Sequence, residues 1–130
     1  MDKLEYIPGD LVIYASLIKE PVAEICEVHE ASYTVKFMHG NFAATSKGIK
    51  PITLTPEILE KNGWRTQNRW YYYLDVAEGF ISYIGIDFKH KSNKGHLYVE
   101  VNGNNMVEIQ YCHELQHLLF GLGLNSEMEV

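Results

Sequence analysis

The chain has 130 residues, 46% of them hydrophobic, and a formal net charge of −6. That length gives one domain with a modest core that can fold without disulfide or metal staples, and that apolar fraction excludes wholesale disorder. The charge disfavours binding to duplex nucleic acid, which needs Lys and Arg along the phosphates, and no apolar run reaches the ~18–20 residues that span a bilayer.

The first 55 residues read as short strands between turn signals. Pro8-Gly9-Asp10 precedes the apolar run Leu11-Val12-Ile13-Tyr14, and Val22 to His29 alternates in part. Tyr33-Thr34-Val35-Lys36-Phe37 alternates cleanly and meets a turn at His39-Gly40-Asn41. Phe42 to Thr45 and Ile49 to Leu54 complete a set whose spacing predicts a small SH3-like β-barrel or strongly bent sheet.

Thr55-Pro56-Glu57 predicts a helix start. Thr55 can accept from a free backbone N–H, Pro56 suits the first helical position, and Glu57 complements the positive helix end. Asn62-Gly63 predicts the stop. A helix this short depends on packing through Ile58 and Leu59.

Residues 64–101 predict an antiparallel sheet. Trp70 to Leu74 and Phe80 to Phe88 are rich in aromatic and β-branched residues, and Phe80, Ser82, Ile84, Ile86 and Phe88 share one face. Lys89 to Gly95 is a basic turn, Leu97 to Val101 the last strand, and Asn102-Gly103-Asn104-Asn105 its end. From about Met106 to Gly121 the period becomes helical, with Tyr111, Leu115, Leu118 and Leu122 on one stripe. The expected fold is therefore α+β in one domain, 1–130. Its first half, 1–55, is barrel-like; the second, 56–130, holds a short helix, an antiparallel sheet and a C-terminal amphipathic helix packed on that sheet.

Within the last helix, His113-Glu114-Leu115-Gln116-His117 spells HExxH. Histidines four apart lie on one helical face and can both ligate Zn²⁺, with the intervening Glu as general base on metal-bound water. A catalytic zinc needs a third protein ligand. Phe120 and Gly123 stand where a metzincin has Gly and His, and only Glu127 and Glu129 follow. Upstream, His29, His39, His90 and His96 show no ligand spacing. The apolar arc centres near Leu115 and Leu122, so His113 and His117, nearly opposite, are expected to face solvent or a partner. The expectation is a polar helix surface and no cofactor; the competing reading is a zinc-dependent hydrolase with His113 and His117 as ligands and Glu114 as base.

A second constellation joins Trp64, Trp70, Tyr71, Tyr72 and Tyr73 to Arg65 and Arg69. Aromatic rings beside cations stack bases or nucleotides, although strand alternation lets at most half of that run share a surface. The Lys89-His90-Lys91-Ser92-Asn93-Lys94 turn could meet a phosphate or an acidic surface. The ligand-binding candidates are Trp70, Tyr72, Lys89 and Lys91. No phosphate-cradling glycine loop or nucleophile elbow is present. Cys26 and Cys112 belong to no CxxC pair and read as buried small hydrophobes.

Two stretches carry a resemblance. Ile49 to Trp64 (IKPITLTPEILEKNGW) and Ile109 to His117 (IQYCHELQH), with Gly9-Asp10-Leu11-Val12 near the start, are similar to a family of short uncharacterised proteins of gut bacteria, their phages and mobile elements. The resemblance spans nearly the whole chain and implies no specific activity. In its pattern Gln often stands at the position of Glu114 and sometimes Asn at that of His117, replacements incompatible with zincin chemistry. It thus implies a structural or recognition helix.

Together these readings predict a non-enzymatic binding protein associated with a phage or mobile element. It would occupy a host protein or sequester a small, nucleotide-like ligand, as in counter-defence. A structural subunit of a larger assembly is a further alternative. Met1-Asp2-Lys3-Leu4-Glu5 lacks a secretory apolar stretch, so the expected location is the cytoplasm, away from membranes.

Overall fold

The computed structural model describes residues 6–14, 21–30, 32–37, 42–45 and 48–130. The expectations for residues 1–5 and for the His39-Gly40-Asn41 turn lie outside the described residues. Two antiparallel sheets and two helices give the α+β class expected. The chain divides into two compact units, one of Met1–Thr53 with Tyr111–Met128, the other of Leu54–Gln110 with Glu129–Val130.

The first unit holds strands β1 (Leu11–Tyr14), β2 (Val22–Val28), β3 (Tyr33–Phe37), β4 (Phe42–Thr45) and β5 (Ile49–Pro51), in the order β4-β3-β2-β1-β5. Successive side chains in a strand point to opposite faces. The pairs Val12↔Ala23, Ala23↔Phe37 and Ile25↔Val35 therefore bring one apolar face into register. Those residues are buried together with Tyr6, and Tyr14, Tyr33, Ala43 and Ile49 pack against them. A bulge between Ile25 and Glu27 adds local twist. Among the described residues no pairing joins β4 to β5, so this is a bent sheet and not a closed barrel.

Helix α2 (Cys112–Gly121) belongs to this first unit, whereas the sequence reading grouped it with residues 56–130. The reason lies in the backbone. Thr53 and Tyr111 form an antiparallel bridge, and the Cys112 amide donates to the Ile52 carbonyl at 2.8 Å. These contacts carry the chain back beside the end of β5 before the helix begins. Cys112 is fully buried, and burial pushes its thiol up to about 12.

The second unit contains α1 (Pro56–Lys61), β6 (Arg65–Thr66), β7 (Tyr71–Glu78), β8 (Ile81–Asp87), β9 (Leu97–Val101) and β10 (Asn104–Ile109), the strands running in sequence order as a meander. Thr55 Oγ1 accepts from the Ile58 amide at 3.3 Å, and Pro56 opens the helix as its sequence predicts. Leu54, Leu59, Trp64, Tyr72, Ile84, Ile86, Leu97, Val99 and Ile109 are its buried apolar residues. Strand β10 replaces the expected start of a long helix near Met106. Asn102 and Gly103 both have positive φ, 53° and 86°, the backbone that a tight hairpin demands, and they return the chain beside β9. Among the described residues no helix is long and apolar enough to cross a membrane.

Candidate functional site

The HELQH segment occupies the first turns of α2, and each of its polar residues has a structural task. Glu114 Oε1 accepts from the Tyr111 amide at 2.9 Å, the back-reaching half of a capping box. Gln116 is 4% exposed. Its Oε1 accepts from the Leu11 amide at 3.0 Å, and its Nε2 donates to the carbonyls of Gly9 (2.9 Å) and Ser126 (3.1 Å). One side-chain amide thereby joins the helix to the start of β1 and to the segment after the helix. His117 Nε2 lies 2.7 Å from Oδ2 of Asp10, whose same oxygen accepts from the Ile7 amide at 2.9 Å.

His113 corrects the helical-wheel expectation, because it is 1% exposed and does not face solvent. Its ring lies 4.9 Å from that of Tyr6 and is stacked 5.8 Å from that of Tyr111. Burial lowers its proton affinity against the opposing pull of Asp10 and Glu114. Its Nδ1 is buried without a hydrogen-bond partner among the described residues.

Among the described residues no three His, Cys, Asp or Glu side chains are grouped to hold a metal ion. The Glu114 carboxylate caps the helix, and the His117 nitrogen that faces a carboxylate is already paired.

The aromatic run before and within β7 separates as strand alternation requires. Tyr72 is 1% exposed, packs edge-on against Phe88 at 5.7 Å, and donates from its hydroxyl to Glu60 Oε2 at 2.6 Å. The hydrogen bond to Glu60 and burial push that hydroxyl up to about 12. Tyr72 is thus a core residue, which corrects its place among the ligand-binding candidates. Tyr71 donates to Glu100 at 2.9 Å, and Arg65 lies 5.5 Å from the Tyr73 ring centroid.

Trp70 and Lys89 come together. They stand on the loops before β7 and after β8, joined where the Phe88 amide donates to the Trp70 carbonyl at 2.8 Å. Lys89 Nζ sits 5.4 Å from the Trp70 ring centroid, and the His90 ring approaches edge-on at 5.5 Å. Asp87 organises the turn: Oδ1 accepts from the amides of Lys89 (2.8 Å) and His90 (2.9 Å), and Oδ2 lies 3.0 Å from His90 Nδ1. Burial opposes the charge on Asp87, yet the His90 amide and ring and the Lys89 amide together hold its carboxyl below the usual range. Lys91 is exposed on the same turn. Residues 67–70 and 88–96 carry Arg69, Lys89, Lys91 and Lys94, which outnumber the two carboxylates set against the same loop, Asp87 at 3.0 Å from His90 Nδ1 and Glu108 at 3.9 Å from His96 Nδ1.

Sequence reasoning missed Asp10, Gln116 and His90 as site residues. Asp10 stood in a turn signal and His90 in the basic run, but nothing local marked their partners. No family model, curated protein or solved structure matches this chain.

Proposed function

We propose that this is a non-enzymatic binding protein that captures a small anionic ligand at the basic end of its second sheet. The observation that carries the reading is the convergence of Lys89 and His90 on Trp70, at 5.4 and 5.5 Å, from adjoining loops. A half-buried ring beside a lysine ammonium and an imidazole offers an apolar face and a positive charge together. Within the setting that the family resemblance implies, sequestering such a ligand serves counter-defence.

The test is calorimetric titration of the folded protein with inorganic pyrophosphate at several salt concentrations. Uptake that weakens with salt, and that is lost in Lys89→Glu with Lys91→Glu, supports the reading. No uptake by the unaltered protein even at low salt sinks it.

One observation favours the reading in which the protein occupies a host protein. Phe80 is 99% exposed at the β7–β8 turn, where its carbonyl accepts from Asn102 Nδ2 at 2.7 Å. An aromatic side chain presented from a braced turn suits an anchor in a partner's apolar pocket. Loss of host-protein binding in Phe80→Ser, with pyrophosphate uptake unchanged, would select this reading.

A further inference from the structure

The basic loop end holds more than a generic anion site requires, and its geometry narrows the ligand class. This step rests on the binding reading above. We propose that the end formed by Trp70, Lys89 and His90 takes a phosphorylated compound with a planar ring, of the nucleoside monophosphate class.

The ring follows from Trp70. Its indole is only half-buried, and the Lys89 ammonium lies over the ring at 5.4 Å. A lysine stem is flexible, and its ammonium is a compact, strongly hydrated charge. A planar ligand ring can displace Lys89 from the indole face, exchanging a cation–π contact for stacking. Base stacking of this kind tolerates any base, because every base has a π-face. The displaced ammonium then lies beside the stacked ring, where a substituent carrying negative charge would meet it.

The phosphate follows from His90 and the loop charges. The Asp87 carboxylate, 3.0 Å from His90 Nδ1, sets the imidazole's orientation. The other ring nitrogen, Nε2, would meet the ligand's phosphate. Arg69, Lys91 and Lys94 add positive charge on the same two loops, in excess of the carboxylates of Asp87 and Glu108 that lie against His90 and His96. A carboxylate needs only one such cation. A phosphate monoester, with up to two charges and several acceptor oxygens, uses more of them.

Intrinsic fluorescence reads the site directly. Trp64 is 5% exposed in the interior of its unit, so ligand-dependent quenching reports on Trp70, and Trp70→Phe identifies its source. Adenosine 5′-monophosphate, uridine 5′-monophosphate, adenosine and inorganic phosphate are each titrated by fluorescence and calorimetry. The expected result is that both monophosphates bind more tightly than adenosine or phosphate alone. Trp70→Ala should weaken them about ten- to a hundredfold, and Lys89→Ala with His90→Gln should bring their affinity down to that of adenosine. Circular dichroism confirms that each variant is folded, and Trp70→Phe, which keeps an aromatic face, should retain most of the affinity.

Phosphate binding as tightly as the monophosphates would overturn the ring and leave the anion-binding reading standing. Adenosine binding as tightly as its monophosphate would overturn the phosphate. No binding of any of the four, in a protein that also takes up no pyrophosphate, would overturn both this inference and the reading beneath it.

Discussion

Asp10 and His117 lie 107 positions apart in the chain, and their side chains meet at 2.7 Å between Oδ2 and Nε2. Asp10 is 2% exposed, while the His117 side chain keeps 34% of its surface. A buried carboxylate without its partners carries a desolvation cost that nothing offsets. This contact and the Gln116 amide are therefore two fastenings of α2 to the turn before β1. Asp10→Ala should destabilise the protein by about 3 kcal/mol, in the range for breaking a buried polar pair. His117→Ala should cost less, about 1–2 kcal/mol, because that ring is partly solvated. Gln116→Ala should cost about 2–3 kcal/mol through three lost hydrogen bonds. Urea unfolding of each variant checks the order. Equal, negligible losses would show that the helix is held by its apolar contacts alone.

His113 makes stability depend on acid. Burial depresses its proton affinity in the folded state, so the unfolded chain binds the extra proton more readily. The sign follows: its contribution is present above the unfolded histidine value of about 6.5 and is lost as pH falls below it. Thermal melting of the unaltered protein should drop between about pH 6.5 and 5. In His113→Phe, which fills the space beside Tyr6 without a titrating nitrogen, that part of the decline should disappear. A decline of the same size in both would assign the acid sensitivity to other groups.

Gly85 faces Tyr71 across the β7–β8 pair, where Tyr73 is its register partner. A Cβ at Gly85 would collide with the Tyr71 hydroxyl and ring carbon, and that hydroxyl donates to Glu100 at 2.9 Å. Gly85→Ala should therefore push the phenol aside and break its hydrogen bond, at about 1–3 kcal/mol. Removing the obstacle by Tyr71→Ala should make the second substitution nearly free. Additive losses in the double variant would show that the two positions act independently.

Local signals were legible wherever the physics is local. Thr55-Pro56 fixed a helix start because the cap and proline need only their next neighbours, and the Thr55–Ile58 bond is the one expected. Alternation from Tyr33 to Phe37 marked a half-buried strand, and Val35 and Phe37 are indeed its buried positions. The strand at Asn104–Ile109 was hidden because five of its six residues are exposed, which leaves no apolar alternation to read. The Asn102-Gly103 turn was the available signal, and it specified a hairpin more strongly than the apolar residues beyond it specified a helix.

The sequence by itself determined the α+β class, the short capped helix and the basic loop; that Lys89 meets the Trp70 ring was decided by the pairing of the chain at Phe88 and Trp70. It also showed which stripe of α2 is most apolar. Only the tertiary structure decided what meets the rest of that helix. A hydrophobic stripe says which face must leave water, but polar residues can leave it too when distant groups satisfy them. Asp10 and the backbone of Gly9 and Leu11 do this for His117 and Gln116, and the rings of Tyr6 and Tyr111 surround His113. Those partners are brought together by the return of the chain through the Thr53–Tyr111 bridge, a long-range pairing that no local pattern encodes.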